Sequence, residues 1–466
     1  MRCPRLKTIA ILVFCAYLIS IVIAFYLLHN MHTTQDSNFN IRPEQVIRHM
    51  KSHRRPEQLR IGHPLFDNCM QNQDYEELLL RPYHTINSVY VYSAFFDNRT
   101  GIPHVRMISM VNVREMKQNS NLSCKFAYGA NQDKFFSEPV LFYEMCENHH
   151  FTHGGWILSC KIPINELKTI PCNFEVIKNN DISHGNHLST MIPLLKTSSY
   201  RREKEKEDNG KFGLCIPPLY GDIKPTQFLK FISLTNALGI DHLIFYVYNI
   251  SSNLNSILEY LEDRSTITII PWVLPVESNH VWYYGQSVAI NDCLYRGMFY
   301  FKYLALTDLD EYIVSHNSKY SLRKLIEMKK STDRQVAAFR FRTAFFIRNP
   351  EAKGNTTFDV LEHNYRTEGT SKIRSKLIVE PYKIFEVGIH HVSRAWPDSE
   401  NYTSYEMDPE DAIVHHYRTC TSTLDLACTS FITDSTIRDW HNFNFITRYN
   451  SRMKELKSVF NITDDT

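Results

Sequence analysis

From Ile9 to Leu28 the chain runs for twenty residues without a charged side chain. At about 1.5 Å per residue such a run spans the roughly 30 Å apolar core of a bilayer, where only a helix satisfies its own backbone. Arg2, Arg5 and Lys7 precede it, and the first charge after it is Asp36. Positive charge stays cytosolic, so the pattern predicts a tail at 1–8, a signal-anchor at 9–28 and a lumenal remainder. The run is longer than the roughly 7–15 apolar residues of a cleaved signal peptide, and no small-x-small site follows it.

Residues 29–84 are polar and basic, with Pro43, Pro56, Pro64 and Pro82 and little periodicity, as expected of a stem. A short helix around Glu44 to Met50 is the exception. From 85 to 200 the apolar positions come in short runs rich in β-branched and aromatic residues: INSVYVYSAFFD, HVRMISMVNV, EPVLFYEM and GGWILSCKIPI. Gly, Asn and Ser punctuate them, which predicts a β-rich accessory domain. The charged stretch RREKEKEDNG at 201–210 is a solvated linker and marks the boundary.

Between 211 and 450 the pattern switches. FGLCIPPLYG, DHLIFYVYNI and TITIIPWVL are buried-type strands. Between them KPTQFLKFISLTNALGI carries Phe228, Phe231, Ile232, Thr235 and Leu238 at helical spacing, opened by Pro225 and closed by Gly239. NLNSILEYLEDR is a second helix and Gly285 to Met298 a third. Strands alternating with helices predict an α/β domain with a mainly parallel sheet, whose ligands bind beyond the carboxyl ends of the strands. The loops after Pro217, Ile250 and Leu274 are therefore expected to border the site.

Composition changes this picture little. Lys and Arg total 52 against 50 Asp and Glu, a net +2 that gives no reason to expect a nucleic-acid partner. Past the span lie nine cysteines, Cys69, Cys124, Cys146, Cys160, Cys172, Cys215, Cys293, Cys420 and Cys428. In an oxidising lumen they predict structural disulfides, and the odd number leaves at least one free or paired between chains. No cluster has zinc-site spacing. Asn98, Asn121, Asn249, Asn355, Asn401 and Asn461 each open an Asn-x-Ser/Thr glycosylation acceptor, in keeping with a lumenal chain.

The chemistry centres on LALTDLDEYIV. Tyr303 to Thr307 is an apolar strand, and Asp308 and Asp310 follow at its carboxyl end on one face of the extended backbone. Two hard oxygen ligands there suit Mn²⁺ or Mg²⁺ bridging a diphosphate, and the plain alternative is two solvated loop carboxylates. A third ligand is sought in His390-His391 or His415-His416. In AIVHHYR, alternation places Val414, His416 and Arg418 on one side, so that His416 completes the metal shell and Arg418 meets phosphate. Each histidine pair is otherwise structural. Gln286, Asn291, Asp292 and Arg296 are candidates for lining a donor site, with an i,i+4 ion pair the equal alternative for the last two. Trp272, Trp282 and Trp396 are candidates for sugar stacking or for core.

Residues 212–420 resemble glycosyltransferase family 92 through CIPPLYG, FLKFISLTNALGIDHLIFYVYN, GQSVAINDCLYR, LALTDLDEYIV, SKLIVEP and VHHYR, and VYVYSAFFDNR resembles the segment that precedes the family's domain. The resemblance implies a GT-A fold, a UDP-galactose donor, Mn²⁺ dependence and β-1,4 transfer to terminal β-galactosides of glycoprotein N-glycans by a Golgi type II membrane enzyme. It carries the metal role onto Asp308 and Asp310 and, less directly, onto His416. Inversion at the anomeric carbon then needs a carboxylate base, for which Glu362, Glu368, Glu386 and Asp408 stand open. A transferase using another sugar or acceptor such as fucose, a metal-dependent phosphohydrolase, and a non-catalytic lumenal glycan-binding protein are the rival readings.

Overall fold

The computed structural model describes residues 83–84, 89–118, 121–128, 134–163, 171, 173–178, 191–195, 210–262, 267–298, 300–317, 319–347, 358–418 and 429–460. The expected tail and membrane span, nearly all of the stem with its short helix, the linker core at 201–209, Asn355, Asn461 and four of the nine cysteines past the span (Cys69, Cys172, Cys420 and Cys428) lie outside them. Among the described residues no helix is long and apolar enough to cross a membrane.

The first region is built largely of strands, which begin two residues before the boundary expected at 85. Strands β1 (Tyr83–His84), β2 (Val89–Asp97) and β3 (His104–Asn112) lead through helix α1 (Val113–Gln118) to β4 (Leu122–Tyr128), β5 (Lys134–Pro139), β6 (Leu141–Glu144), β7 (His153–Lys161), β8 (Asn173–Lys178) and β9 (Ile192–Pro193). They form two antiparallel sheets, ordered β1-β2-β3-β7-β6 and β5-β4-β8-β9. One apolar cluster fills the space between them: Val91, Val105, Met107 and Leu158 from the first sheet meet Leu122, Phe126, Phe174 and Val176 from the second. The Cys124–Cys160 disulfide crosses the same core.

The second region holds β10 (Phe212–Tyr220), α2 (Pro225–Ala237), β11 (His242–Asn249), α3 (Ser252–Glu262), β12 (Ile267–Pro271), α4 (Gln286–Gly297), β13 (Tyr303–Leu306), β14 (Glu311–Ser315), α5 (Leu322–Thr332) and β15 (Val336–Ile347). Then come α6 (Asp359–Glu362), β16 (Tyr365–Thr367), β17 (Ser371–Val379), β18 (Ile384–Val387), β19 (Val392–Ala395), β20 (Thr403–Glu406), β21 (Ala412–Tyr417), β22 (Phe431–Thr433) and α7 (Asn442–Phe460). Pro225 opens α2 at its first turn. Gly239 closes it at φ +96°, a left-handed position that favours glycine. Strand β10 continues past the proline pair to Tyr220, so the first rim loop begins three residues later than the sequence suggests.

The large sheet is parallel only in part. Strands β12, β11, β10 and β13 run parallel, as the alternation of strands and helices requires. Beyond β13 the order continues through β17, β15, β16 and β22 with antiparallel pairings, while β14 pairs β21 and β21 pairs β15. The two regions share an apolar core. Phe95, Ile108, Met110 and Ile157 from the other face of the five-stranded sheet pack with Val288, Leu294 and Tyr295 of α4 and with Tyr246 and Leu304 of the large sheet. A second disulfide, Cys215–Cys293, joins β10 to α4. Cys146 is free and exposed.

Candidate active site

The chain leaves β13 at Leu306, turns through Asp308, Leu309 and Asp310, and re-enters the sheet as β14. Register decides what meets this turn. Glu311 pairs with His416 across β14 and β21. Leu306 pairs with Leu377 across β13 and β17, which brings the preceding Lys376 level with the turn.

The side chains follow from that placement. Lys376 Nζ donates to Asp308 Oδ2 at 2.7 Å and lies 2.9 Å from Glu311 Oε2. Gln286, first residue of α4, approaches Asp308 Oδ1 from the other side at 3.4 Å. His416 Nε2 lies 3.1 Å from Asp310 Oδ2, and its Nδ1 lies 3.2 Å from Glu311 Oε1. The side chains of Asp308 and Asp310 are 37% and 42% exposed, whereas those of Glu311 and Lys376 are 2% and 3% exposed. Two reachable carboxylates thus stand above a buried acid–base pair.

Burial raises the Glu311 carboxyl above its usual value against the pull of Lys376. Burial opposes the charge on Lys376, yet Asp308 and Glu311 together raise it above the ordinary lysine value. Burial also acts to raise Asp310, but the hydrogen bond and charge of His416 outweigh it and leave that carboxyl below its usual range. Asp310 is therefore ionised at neutral pH.

Asp310 and His416 suit a divalent ion. They offer a hard oxygen and a borderline nitrogen, and the buried Glu311 carboxylate lies 3.2 Å behind the other ring nitrogen, which makes no hydrogen bond. Asp308 is held by Lys376 through Oδ2, and its Oδ1 meets only the Gln286 amide at 3.4 Å. The neighbouring histidines have other surroundings. His390 Nδ1 lies 2.7 Å from the Ser375 carbonyl, and burial together with Lys376 pushes it down to about 4. His391 faces Cys146 and Glu147. His415 points to the opposite face of β21, against His316 at 2.8 Å.

Several sequence candidates sit elsewhere. Asn291 is fully buried, donating to the Ser287 and Val387 carbonyls and accepting from the Val387 N–H, so it straps α4 to β18 instead of lining a donor pocket. Asp292 and Arg296 form the structural ion pair, at 2.6 Å and buried. Trp272 is core, stacked on Tyr92 at 4.1 Å, with its indole N–H donated to the Tyr284 carbonyl. Trp396 packs on Phe385. Trp282, half-buried, stacks on His149.

Among the base candidates, Glu386 is buried with its oxygens taken by the Tyr143 hydroxyl at 2.7 Å and the Cys146 N–H at 2.8 Å. Its role is to fasten the β-rich region to the second. Asp408 lies before β21, at the far end from His416, roughly 13 Å or more away at about 3.3 Å per residue. Glu368 is exposed and accepts from the Ser430 hydroxyl, and Glu362 ends α6. Arg418 is exposed just past β21, beside the turn whose Asp310 carbonyl accepts the Tyr417 N–H. Asn98, Asn121 and Asn401 are exposed, and Asn249 is half-buried at the end of β11. Sequence reasoning missed Lys376 and Glu311. Both lie inside quoted motifs, SKLIVEP and DLDEYIV, but only strand register shows that they meet.

Comparison with known proteins gives the class of the chain: it is a glycosyltransferase. The sequence model of glycosyltransferase family 92 matches residues 210–457, more than half of the chain, and the chain belongs to that family. It is similar to beta-1,4-galactosyltransferase galt-1 of Caenorhabditis elegans, 27% identical over 347 residues that cover 71% of this chain and 74% of the relative. Among solved structures it is similar to glucosyl-3-phosphoglycerate synthase from Mycobacterium tuberculosis in complex with Mn²⁺, uridine diphosphate and glucosyl-3-phosphoglycerate, at 9% identity, 38% of this chain and 58% of that one, TM-score 0.22. It is also similar to 4-diphosphocytidyl-2C-methyl-D-erythritol synthase from Anaerococcus prevotii, at 10% identity, 53% of this chain and all of that one, TM-score 0.22. Superpositions that loose bear no weight on fold or chemistry. Family membership sets aside the phosphohydrolase and the non-catalytic glycan-binding readings.

Proposed function

We propose that this chain transfers galactose from UDP-galactose to a terminal β-galactoside of glycoprotein N-glycans, forming a β-1,4 linkage with inversion, on a GT-A-type domain. It works in the Golgi lumen, held by a single N-terminal helix of type II orientation. The observation that carries the reading is the pair of half-exposed carboxylates, Asp308 and Asp310, where a buried parallel strand surfaces. The name of the nematode relative, a beta-1,4-galactosyltransferase, supports galactose and the β-1,4 linkage.

In this reading Asp310 and His416, joined by Asp308, hold Mn²⁺ or Mg²⁺. Such an ion, when bound, neutralises charge on the departing diphosphate. Glu311 sets its carboxylate 3.2 Å behind the His416 ring. Lys376, left with Glu311 when Asp308 turns outward, offers its ammonium to a phosphate oxygen. Arg418 meets the same group from the rim. The acceptor hydroxyl gives its proton to a carboxylate as it attacks, and Glu362 and Glu368 are the candidates that keep a place for it.

The test incubates the full chain with a panel of UDP-sugars, Mn²⁺ and galactose-terminated N-glycans, and reads the product linkage by NMR. Galactose transfer that disappears in Asp310→Ala and in excess EDTA is expected. Undiminished transfer under either condition, or transfer of a different sugar, defeats the proposal.

A further inference from the structure

On the opposite face of β21 from the acidic turn lies a second cluster. His415 points there, as alternation along the strand requires once His416 faces Asp310. His316, one residue past β14, places its Nε2 2.8 Å from His415 Nε2. Asp434, one residue past β22, places Oδ2 3.5 Å from His316 Nε2. The ligand atoms of these three residues all lie within 4.8 Å of one another.

The surroundings are those of oriented ligands. Arg366 Nε donates to Asp434 Oδ2 at 2.8 Å and the Thr436 N–H to Oδ1 at 3.1 Å, which fixes the carboxylate and leaves Oδ2 a second lone pair. Phe346 stacks on the His415 ring at 4.0 Å and fixes its plane. His415 Nδ1, the ring nitrogen that does not face His316, is buried with no hydrogen-bond partner.

We propose that His316, His415 and Asp434 form a second divalent-cation site, one that takes Zn²⁺ in preference to Mn²⁺. Around zinc, with ligands at about 2.0–2.1 Å, neighbouring ligand atoms of a tetrahedron stand about 3.3 Å apart. The His316–Asp434 separation of 3.5 Å is close to that span, the two imidazoles need to part by about half an ångström, and His415 and Asp434, within 4.8 Å, need to draw together. Two nitrogens and one oxygen suit zinc better than manganese, and water takes the fourth position. The role is structural. Asp434 stands just before the helical run that begins at Ile437 and continues as α7, which packs on α2 through Arg452 to Ser233 and Asn236. Zinc pins the start of that run to β14 and β21.

The test uses the full chain, loaded with Zn²⁺, stripped of loose metal on a chelating resin and measured by inductively coupled plasma mass spectrometry. About one zinc per chain is expected in the wild type and in Asp310→Ala, which separates this site from the acidic turn. His316→Gln, which keeps a group able to hydrogen-bond His415, and Asp434→Asn, which keeps the carboxylate's shape, are both expected to lose it. Zinc is expected to raise the unfolding midpoint of the wild type and not that of His316→Gln. Equal zinc in the wild type and in whichever of the two variants folds, or none in the folded wild type, overturns the proposal.

Discussion

Asp292 and Asp308 both face a cation in this molecule, and they end in opposite circumstances. Asp292 is 1% exposed and accepts from Arg296, from the Tyr246 hydroxyl and from the Ser93 hydroxyl. Its oxygens are saturated, and the group is part of the packing between α4 and the β-rich region. Asp308 meets Lys376 on one oxygen and Gln286 weakly on the other, and stands half in solvent beside Asp310. A carboxylate whose lone pairs are all taken by the fold holds the fold. One that keeps lone pairs facing outward is free to hold something else.

The comparison breaks first at Asp292. Asp292→Ala removes the carboxylate that neutralises the buried Arg296 and is expected to cost about 3–5 kcal/mol of stability in chemical unfolding, with activity per folded molecule retained. A loss of activity without a loss of stability removes the distinction. Asp310→Ala is expected to do the reverse. Transfer falls by about a hundredfold or more, about 2.7 kcal/mol in the barrier, while the unfolding midpoint moves little.

A third measurement extends the comparison to Asp97, another saturated carboxylate, bonded to Arg99 and Arg106 at 2.9 and 3.0 Å. Burial acts to raise it, but the two guanidinium groups outweigh burial and bring it from 3.8 to about 2. A depressed folded value means that the unfolded chain binds the proton first. The contribution, about 2 kcal/mol, is therefore complete above pH about 4 and is lost as pH falls toward about 2. Asp97→Asn is expected to flatten that part of the stability profile. The smallest effect belongs to Glu311→Gln, which keeps the packing and removes the charge behind His416. It is expected to raise the Mn²⁺ concentration for half-maximal transfer by about tenfold, read by metal titration at saturating donor.

Much of the parallel half of the sheet was legible from the chain. FGLCIPPLYG, DHLIFYVYNI and TITIIPWVL are apolar on both faces because helices cover both, and Pro225 and Gly239 bracket α2 by conformational limits that act locally. The antiparallel half was not legible. Strands β14, β16 and β22 are three to five residues long, too short for a period to show. Base candidates chosen for lying in the later half failed where burial or position excluded them, as with Glu386 and Asp408. Asn291 failed as a donor contact because a helical residue facing a neighbouring strand looks the same in sequence as one facing a pocket.

The sequence alone determined the alternation of strand and helix, the acidic pair at a strand's end and the opposed faces of His415 and His416. Each is set by the period of a single backbone segment. Tertiary structure decided the rest: that Lys376 and Glu311 underlie the turn, and that His316 and Asp434, 99 and 19 residues from His415 in the chain, come to its side. Those meetings depend on strand register between distant segments, and register is fixed by how the whole apolar core closes, which no local spacing records.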